Sequence, residues 1–304
     1  MIIVLGLFQT MVDAQVLRPK TICKLPKEIR ESSGLVVLND SIFITHNDGG
    51  NLPQLFQLKS DGIFTLQIFS SLKNHDWEEA CMMNNELLIG DFGNNCNCRN
   101  NLSVLRFKML MDSSGKILFQ PDGDCHFHFS DQKNFPPSKS NFNFDCEAMC
   151  VVNGELFLFS KNMSMPSDGF TKIYRLNPFT DSTEALLVDS MYLNAPVTGA
   201  CSIANTDSVL LMSYFGLFEC NVNNQDHFSL YKSFTWNHFS QKEAIAVSEN
   251  QIYLTDEKHF GGKLYHLSID QLNKNSHSKK ILHHSFRLII QHLKFYAAKR
   301  LMHI

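Results

Sequence analysis

Short apolar runs recur along the chain, and polar turn residues separate them. The most regular runs come in pairs. The first run of each pair begins with a small or acidic residue that is followed by Gly or Ala. The runs are rich in β-branched and aromatic residues, which predicts β-strands. The five openings are Ser33-Gly34, Glu79-Ala80, Glu147-Ala148, Gly199-Ala200 and Glu243-Ala244.

Each pair is followed by a third run that alternates apolar and polar residues, and in most units by a fourth. The openings are spaced 46, 68, 52 and 44 residues apart. Units of four antiparallel strands at a period of roughly 40–50 residues are typical of propeller blades. The fifth unit lacks a fourth run after Leu267, and the segment Thr21 to Leu25 can supply it. Pairing the two ends of the chain would close the ring and remove its free edges.

The sequence therefore predicts an all-β fold, a β-propeller of five four-stranded blades closed by an N-terminal strand. Six blades are the alternative that the 68-residue interval leaves open. We expect the propeller to span residues 15–270. All-β folds of this length can form one domain.

The two ends of the chain differ from the repeats. Residues 1–14 are predicted to be a signal peptide, because an apolar run is followed by Val12-Asp13-Ala14, which suits cleavage before Gln15. The basic residues that usually precede such a run are missing, and a buried first strand is the alternative. Residues 271–304 mix Lys and Arg with apolar residues, which predicts a basic amphipathic or disordered tail. The predicted signal peptide favours a secreted or extracytoplasmic location.

Composition narrows the possible partners. The net charge of −3 gives no reason to expect nucleic-acid binding. No apolar run approaches the roughly 20 residues that a membrane-spanning helix needs. The nine cysteines are compatible with an oxidising compartment, and their odd number leaves at least one without an intramolecular partner.

Polar residues should converge at one mouth of the central channel. The second strand of a blade runs antiparallel to the first, so its end lies at the same face as the start of the first strand. The carboxylates predicted to open the first strands there are Glu79, Glu147 and Glu243. The other residues predicted at the channel mouth are His46, Asp48, Asp91, Lys161, Tyr214 and Glu257.

Three carboxylates facing one channel mouth would repel one another. At about 8 Å and an effective dielectric constant near 20, each pair costs roughly 2 kcal/mol. A bound divalent cation, Lys161, water or raised pKa values could offset this repulsion. Oxygen ligands favour Ca²⁺ or Mg²⁺, for which Glu79, Glu147 and Glu243 are the predicted ligands. Alternatively, each glutamate simply caps backbone amides at the start of a blade.

Common catalytic and phosphate-binding motifs are missing from the sequence, so nothing in it supports a nucleophilic mechanism. It contains no Gly-x-Ser-x-Gly, no His-Glu-x-x-His and no phosphate-binding loop.

Seven short phrases stand in a fixed order along the chain. They are His46-Asn47-Asp48-Gly49, Asp76-Trp77-Glu78-Glu79, Gly90-Asp91-Phe92-Gly93-Asn94-Asn95, Asp145-Cys146-Glu147-Ala148, Phe159-Ser160-Lys161-Asn162, Thr198-Gly199-Ala200 and Glu243-Ala244-Ile245. Together they resemble a family of secreted bacterial β-propeller proteins, many of which end in a type IX secretion sorting tail. The resemblance implies an extracytoplasmic propeller and no established activity. Two features depart from that family: Cys201 replaces the usual acidic residue after Thr-Gly-Ala, and the tail does not resemble a sorting domain.

The sequence thus predicts a propeller that binds a small molecule, a cation or a protein at the channel mouth. One alternative is a metal-assisted hydrolase of a phosphoester, lactone or other ester, with His46 or Asp48 as its base. Another is a structural surface module with an empty channel. The sequence does not determine the oligomeric state.

Overall fold

The computed structural model describes residues 14–39, 41–257 and 262–273. Within these residues the chain is almost entirely β-structure, with a short 3₁₀ turn at Lys139–Asn141 and one helical turn, α1, at Asp270–Asn273. The first strands in chain order are β1 (Gln15–Leu17), β2 (Lys20–Lys24), β3 (Ser32–Asn39), β4 (Ile42–Asn47), β5 (Gln54–Lys59) and β6 (Phe64–Ile68).

The middle of the chain supplies eight strands. They are β7 (Trp77–Met83), β8 (Glu86–Asp91), β9 (Leu102–Met111), β10 (Ile117–Phe129), β11 (Asp145–Val152), β12 (Glu155–Lys161), β13 (Phe170–Leu176) and β14 (Ser182–Tyr192). The long hairpin of β9 and β10 and the loop before β11 fill the 68-residue interval between openings.

The last strands described are β15 (Gly199–Ser202), β16 (Ser208–Met212), β17 (Gly216–Val222), β18 (Phe228–Trp236), β19 (Lys242–Ser248), β20 (Gln251–Asp256) and β21 (Lys263–Ser268). No helix in the described part of the chain is long and apolar enough to cross a membrane.

Four-stranded antiparallel units repeat through the fold. The strand orders are β3-β4-β5-β6, β7-β8-β9-β10, β11-β12-β13-β14, β15-β16-β17-β18 and β19-β20-β21-β2. The outermost strands β10 and β14 pair in parallel and join two units into an eight-stranded sheet, while β1 pairs in parallel with β18.

The units are arranged around a central axis. Strand β3 contacts β7, β7 contacts β11, β11 contacts β15, β15 contacts β19, and β19 returns to β3. This closed cycle of first strands is the arrangement of a β-propeller.

The N-terminal strand closes the ring as predicted. Thr21 of β2 lies opposite Tyr265 of β21, and Cys23 lies opposite Leu264. The backbone amide of Leu25 continues the pairing by donating to the carbonyl of Gly262 at 2.6 Å. The last unit therefore obtains its fourth strand from the start of the chain.

The hydrophobic core lies between neighbouring units, because each sheet buries both of its faces. In β8, Leu87 and Ile89 pack with Ile44 of the first unit, whereas Leu88 packs with Met149 of the third. Strands buried on both faces need nearly continuous apolar runs, which explains the second runs of the sequence pattern.

The two predicted end segments lie almost wholly outside the described residues. Ala14 is buried, and β1 begins at Gln15. Leu272 of α1 is also buried, against Leu17 and Trp236 among others. Helix α1 therefore packs onto the propeller rather than extending from it.

The described residues contain one disulfide, which lies in the loop between β8 and β9. Cys96 and Cys98 form a disulfide, and the other seven cysteines are free. Cys125, Cys146, Cys150 and Cys220 are buried in the sheets, where a thiol packs as a small apolar group.

Candidate functional site

A β-bulge lies at the start of the first strand in four of the units. Each bulge leaves one residue of the first strand without an opposite residue in the second strand. Around Glu78, for example, Trp77 lies opposite Asp91 and Glu79 lies opposite Gly90. The four bulged residues are Ser33, Glu78, Glu147 and Glu243.

The bulges change the alignment of the repeats. Glu78, not Glu79, occupies the position of Glu147 and Glu243 in the second unit. Two consecutive glutamates stand at this point of the sequence. The recurring Glu-Ala phrase pointed to Glu79, whereas Glu78 is the equivalent residue. Because side chains alternate in direction along a strand, this one-residue shift sends Glu78 and Glu79 to different surroundings.

Glu79 crosses the channel and caps backbone amides. Its Oε1 accepts a hydrogen bond from the amide of Ala80 at 3.1 Å, and its Oε2 accepts one from Ala200 at 3.0 Å. Burial raises the pKa of Glu79 well above its usual value, while these amides act in the opposite direction. Glu79 therefore has the capping role that was the alternative to metal binding.

Glu147 and Glu243 belong to a buried polar network. Lys161 Nζ donates to Glu147 Oε1 and, at 3.3 Å, to Tyr214 Oη. Tyr214 Oη in turn donates to Glu243 Oε1 at 3.0 Å. Burial would lower the pKa of Lys161, but Glu147, Tyr214 and Glu243 outweigh burial and raise it well above its usual value. The network therefore joins the third, fourth and fifth units, and its lysine is charged.

A second acidic group, which we call the acidic cluster, consists of Asp48, Asp76 and Glu78. One carboxylate oxygen from each lies within 4.8 Å of the others. Asp48 follows β4, Asp76 precedes β7, and Glu78 is the bulged residue of β7. The cluster thus replaces Glu79, Glu147 and Glu243 as the set of carboxylates close enough to share one ion.

Two glycines make room for the acidic cluster. A Cβ atom on Gly49 would overlap Asp76 Oδ1, and one on Gly93 would overlap Glu78 Oε1 and Asp76 Oδ2. The phrases Asp48-Gly49-Gly50 and Phe92-Gly93-Asn94 therefore place bare backbone against the carboxylates.

Burial and mutual repulsion disfavour negative charge in the cluster. Burial, with a contribution from Asp76, raises the pKa of Asp48 to about 7. Burial also raises the pKa of Asp76 to about 6, although Arg99 acts in the opposite direction. The pKa of Glu78 rises well above its usual value through burial and the charge of Asp48. Burial and mutual repulsion therefore favour the protonated form of these carboxyls where no cation compensates their charge.

Two buried carboxylate oxygens near the cluster have no hydrogen-bond partner in the described structure. They are Asp145 Oδ2 and Glu147 Oε2. The other oxygen of Asp145 accepts from the amide of Asn94 at 2.7 Å. Both carboxylates repel Glu78 electrostatically. A buried acceptor that is left unpaired costs about 1–3 kcal/mol, so these oxygens also favour a positively charged ligand.

His46 lies beneath the mouth rather than in it. The side chain is fully buried, and its ring packs edge-on against Trp77 at a centroid distance of 5.6 Å. Burial lowers the pKa of His46 to about 4, so the ring is neutral at pH 7. The predicted role of His46 as a base for hydrolysis is not supported by this position.

Asp91 and Glu257 are also buried. Arg99 Nη2 donates to Asp91 Oδ1 at 2.8 Å, and the amides of His75 and Asp76 donate to the same carboxylate. Asp91 therefore positions the segment that carries Asp76. The amide of Glu257 donates to Gln241 at 3.0 Å, and its carboxylate repels Glu243.

The roles of Asp76, Glu78 and Asp145 were not predicted from the sequence. All three stand in two of the phrases described above, Asp76-Trp77-Glu78-Glu79 and Asp145-Cys146-Glu147-Ala148. The signal was an acidic residue two positions before a Glu, which becomes informative once the bulge is known.

Comparisons with known proteins give structural matches at low sequence identity. A scan against protein-family models and a search of curated proteins found no match. Among solved structures, a glucose dehydrogenase aligns at 6% sequence identity and a TM-score of 0.48. The alignment covers 81% of this chain and 98% of that chain. An oxidoreductase (glucose dehydrogenase) from Thermus thermophilus aligns with 10% identity, 83% and 100% coverage and a TM-score of 0.48. A protein of unknown function from Desulfotomaculum acetoxidans aligns with 15% identity, 79% and 69% coverage and a TM-score of 0.38. These similarities transfer no activity to this chain.

We expect Asp48 to make the metal-free protein less stable as pH rises. Its pKa is about 7 in the folded protein against an ordinary value of 3.8, so the native state binds more protons between those values and its free energy of unfolding falls with increasing pH. Buried His46 has the opposite effect. Its pKa falls from 6.5 to about 4 on burial, so it raises the free energy of unfolding as the pH rises between those values. Urea unfolding of wild type and Asp48→Asn in a chelator, at pH 5 and 7.5, separates the two effects. The wild type should lose stability relative to the variant at the higher pH, and a constant difference would contradict the prediction.

Proposed function

We propose that this chain is an extracytoplasmic five-bladed β-propeller that binds a divalent cation, Ca²⁺ or Mg²⁺, at its channel mouth. Asp48, Asp76 and Glu78 are the ligands. The observation that carries the proposal is the approach of three carboxylate oxygens from two different units to within 4.8 Å of one another. The cycle of five contacting first strands supports the blade count.

The electrostatics favour a cation over an empty cluster. At 4.8 Å and an effective dielectric constant of 20, two unit negative charges repel by about 3 kcal/mol. The protein can relieve this repulsion by keeping protons or by exchanging them for a metal ion. The unpaired oxygens of Asp145 and Glu147 add further negative potential around the same place.

The ligand atoms indicate which ions fit. Carboxylate oxygens are hard ligands, which Ca²⁺ and Mg²⁺ prefer, whereas zinc sites usually include Cys or His. Three carboxylates fill only part of a coordination shell of six to eight, so water or a further ligand would complete it.

Isothermal titration with CaCl₂ and MgCl₂ tests this proposal. We expect one ion to bind per chain and Asp76→Asn to weaken affinity by about tenfold or more, because the variant loses one of three anionic ligands. Asp124→Asn is the matched control, since the Asp124 side chain is 44% exposed and its carboxylate pairs with His126. Absence of binding heat, or equal affinity in wild type and Asp76→Asn, would refute the proposal.

The location and the alternatives are tested separately. The proposed export rests on the apolar run and the Val12-Asp13-Ala14 motif of the sequence. N-terminal sequencing of the processed chain would check this. The structural-module alternative requires that no ion binds, and the hydrolase alternative retains only Asp48 as a base because His46 is buried.

A further inference from the structure

Large apolar side chains are exposed on the face of the propeller that carries the acidic cluster. Three of them belong to the third unit: Met165 is 61%, Phe170 41% and Tyr192 54% exposed. We call these three residues the apolar rim. On the first unit, Leu52 is 62% exposed, four residues after Asp48. All four lie at strand ends or loops on the mouth side of their sheets.

The apolar rim is a well-supported structure. The rings of Phe170 and Tyr192 pack edge-on with their centroids 5.4 Å apart. The Tyr192 ring also covers Gly169, where a Cβ atom would overlap it. The amide of Met165 donates to the carbonyl of Lys139 at 2.9 Å. The rim is therefore held in place before any partner arrives, which lowers the entropic cost of binding.

The acidic cluster and the apolar rim lie on the same face of the propeller, and Lys161 of the third unit acts electrostatically on Asp48 and Asp76. The loop that carries Met165 begins directly after Lys161, whose charge is paired with Glu147. The nearby Asp91 pairs with Arg99. Asp48, Asp76 and Glu78 form no ion pair among the described residues. Arg99 and Lys161 act on Asp76 electrostatically, but the carboxylates around the cluster outnumber these two bases. A partner that matches this face must be positively charged beside an apolar surface.

We propose that a polypeptide segment with a Lys or Arg among apolar residues docks on this face. Its apolar side chains lie on the apolar rim, and its basic side chain enters the acidic cluster. Exposed Met and aromatic residues are typical of the centres of protein interfaces. Anionic partners, such as phosphate esters or nucleic acids, would be repelled by the carboxylates.

This inference deepens the proposed function, because it rests on the same acidic cluster. The basic side chain and the divalent cation would use the same carboxylate oxygens, and two positive charges in one small site repel each other. Binding of the segment and binding of the ion should therefore exclude each other. The concentration of the divalent cation would then control docking.

A labelled synthetic peptide tests the inference in the full-length protein. The probe is a capped decapeptide in which Lys alternates with Leu and Phe, and the readout is fluorescence anisotropy in a chelator. We expect the peptide to bind, and we expect saturating CaCl₂ to weaken its affinity by about tenfold or more. The double variant Phe170→Ser/Tyr192→Ser should weaken the affinity by a similar factor. A probe with Glu in place of Lys should not bind. The matched control Leu230→Ser/Tyr231→Ser removes exposed apolar residues from β18 and should leave affinity unchanged.

The outcomes separate this inference from the cation proposal. Calcium binding without peptide binding overturns only the inference, and so does a Glu probe that binds as tightly as the Lys probe. Equal peptide affinity of wild type and the rim variant also overturns it. Peptide binding that calcium does not weaken refutes the shared site. A second copy of the chain as the occupant would show as a wild-type dimer in sedimentation that the rim variant lacks, and it too would overturn the inference.

Discussion

Replacement of Lys161 by methionine is expected to lower the free energy of unfolding by about 3–5 kcal/mol, because it leaves a buried carboxylate without its counter-charge. The Lys161 and Glu147 side chains are only 4% and 6% exposed. Their ion pair, extended through Tyr214 to Glu243, connects three units around the channel. A loss of this size is a large part of the roughly 5–15 kcal/mol that typically stabilises a domain. Urea unfolding monitored by circular dichroism measures it.

Two further variants show whether the uncompensated charge is the cause. The double variant Lys161→Met/Glu147→Gln should recover much of the lost stability, because it removes the unpaired carboxylate. Lys108→Met breaks an ion pair with Asp122 in which the lysine side chain is 53% exposed, and should cost no more than about 1 kcal/mol. If Lys161→Met costs as little as Lys108→Met, the buried network does not hold the units together.

Replacement of Gly93 by alanine should weaken cation binding by about tenfold or more without removing any ligand. The added methyl group would overlap Glu78 Oε1 and Asp76 Oδ2, so both carboxylates must move. Isothermal titration with CaCl₂ measures the change.

Gly115→Ala is the control for the Gly93 variant. Gly115 lies in the turn between β9 and β10, and nothing lies within 4 Å of its added Cβ atom. Its φ of +81° disfavours alanine, so the variant loses some stability, but its calcium affinity should equal that of wild type. Unchanged calcium affinity in Gly93→Ala would show that the acidic cluster is not the binding site.

Much of the architecture could be predicted from the sequence. Strand pairing within a propeller blade joins neighbours along the chain, so the apolar runs and the turns between them identify the units directly. The closing strand was also predictable, because the last unit lacked a fourth run and Thr21 to Leu25 provided one. The pairing of Thr21 with Tyr265 confirms this prediction.

The position of the candidate site was only partly predictable. Antiparallel pairing places strand ends at one face, and Glu147, Lys161, Tyr214 and Glu243 meet there in one hydrogen-bonded network. Which carboxylates approach one another closely depends on loops such as Asp48-Gly49-Gly50, whose paths the repeat pattern does not specify. The cluster of Asp48, Asp76 and Glu78 therefore emerged only from the folded chain.

By itself, the sequence determined the strand units, the closure of the ring and the face on which its polar residues gather, because these follow from local periodicity. Only the tertiary structure decided between Glu78 and Glu79. A bulge adds one residue to a strand, and nothing in the apolar pattern marks where it falls. That single residue sends Glu78 to the acidic cluster and Glu79 across the channel to the amide of Ala200, since neighbouring side chains on a strand point in opposite directions.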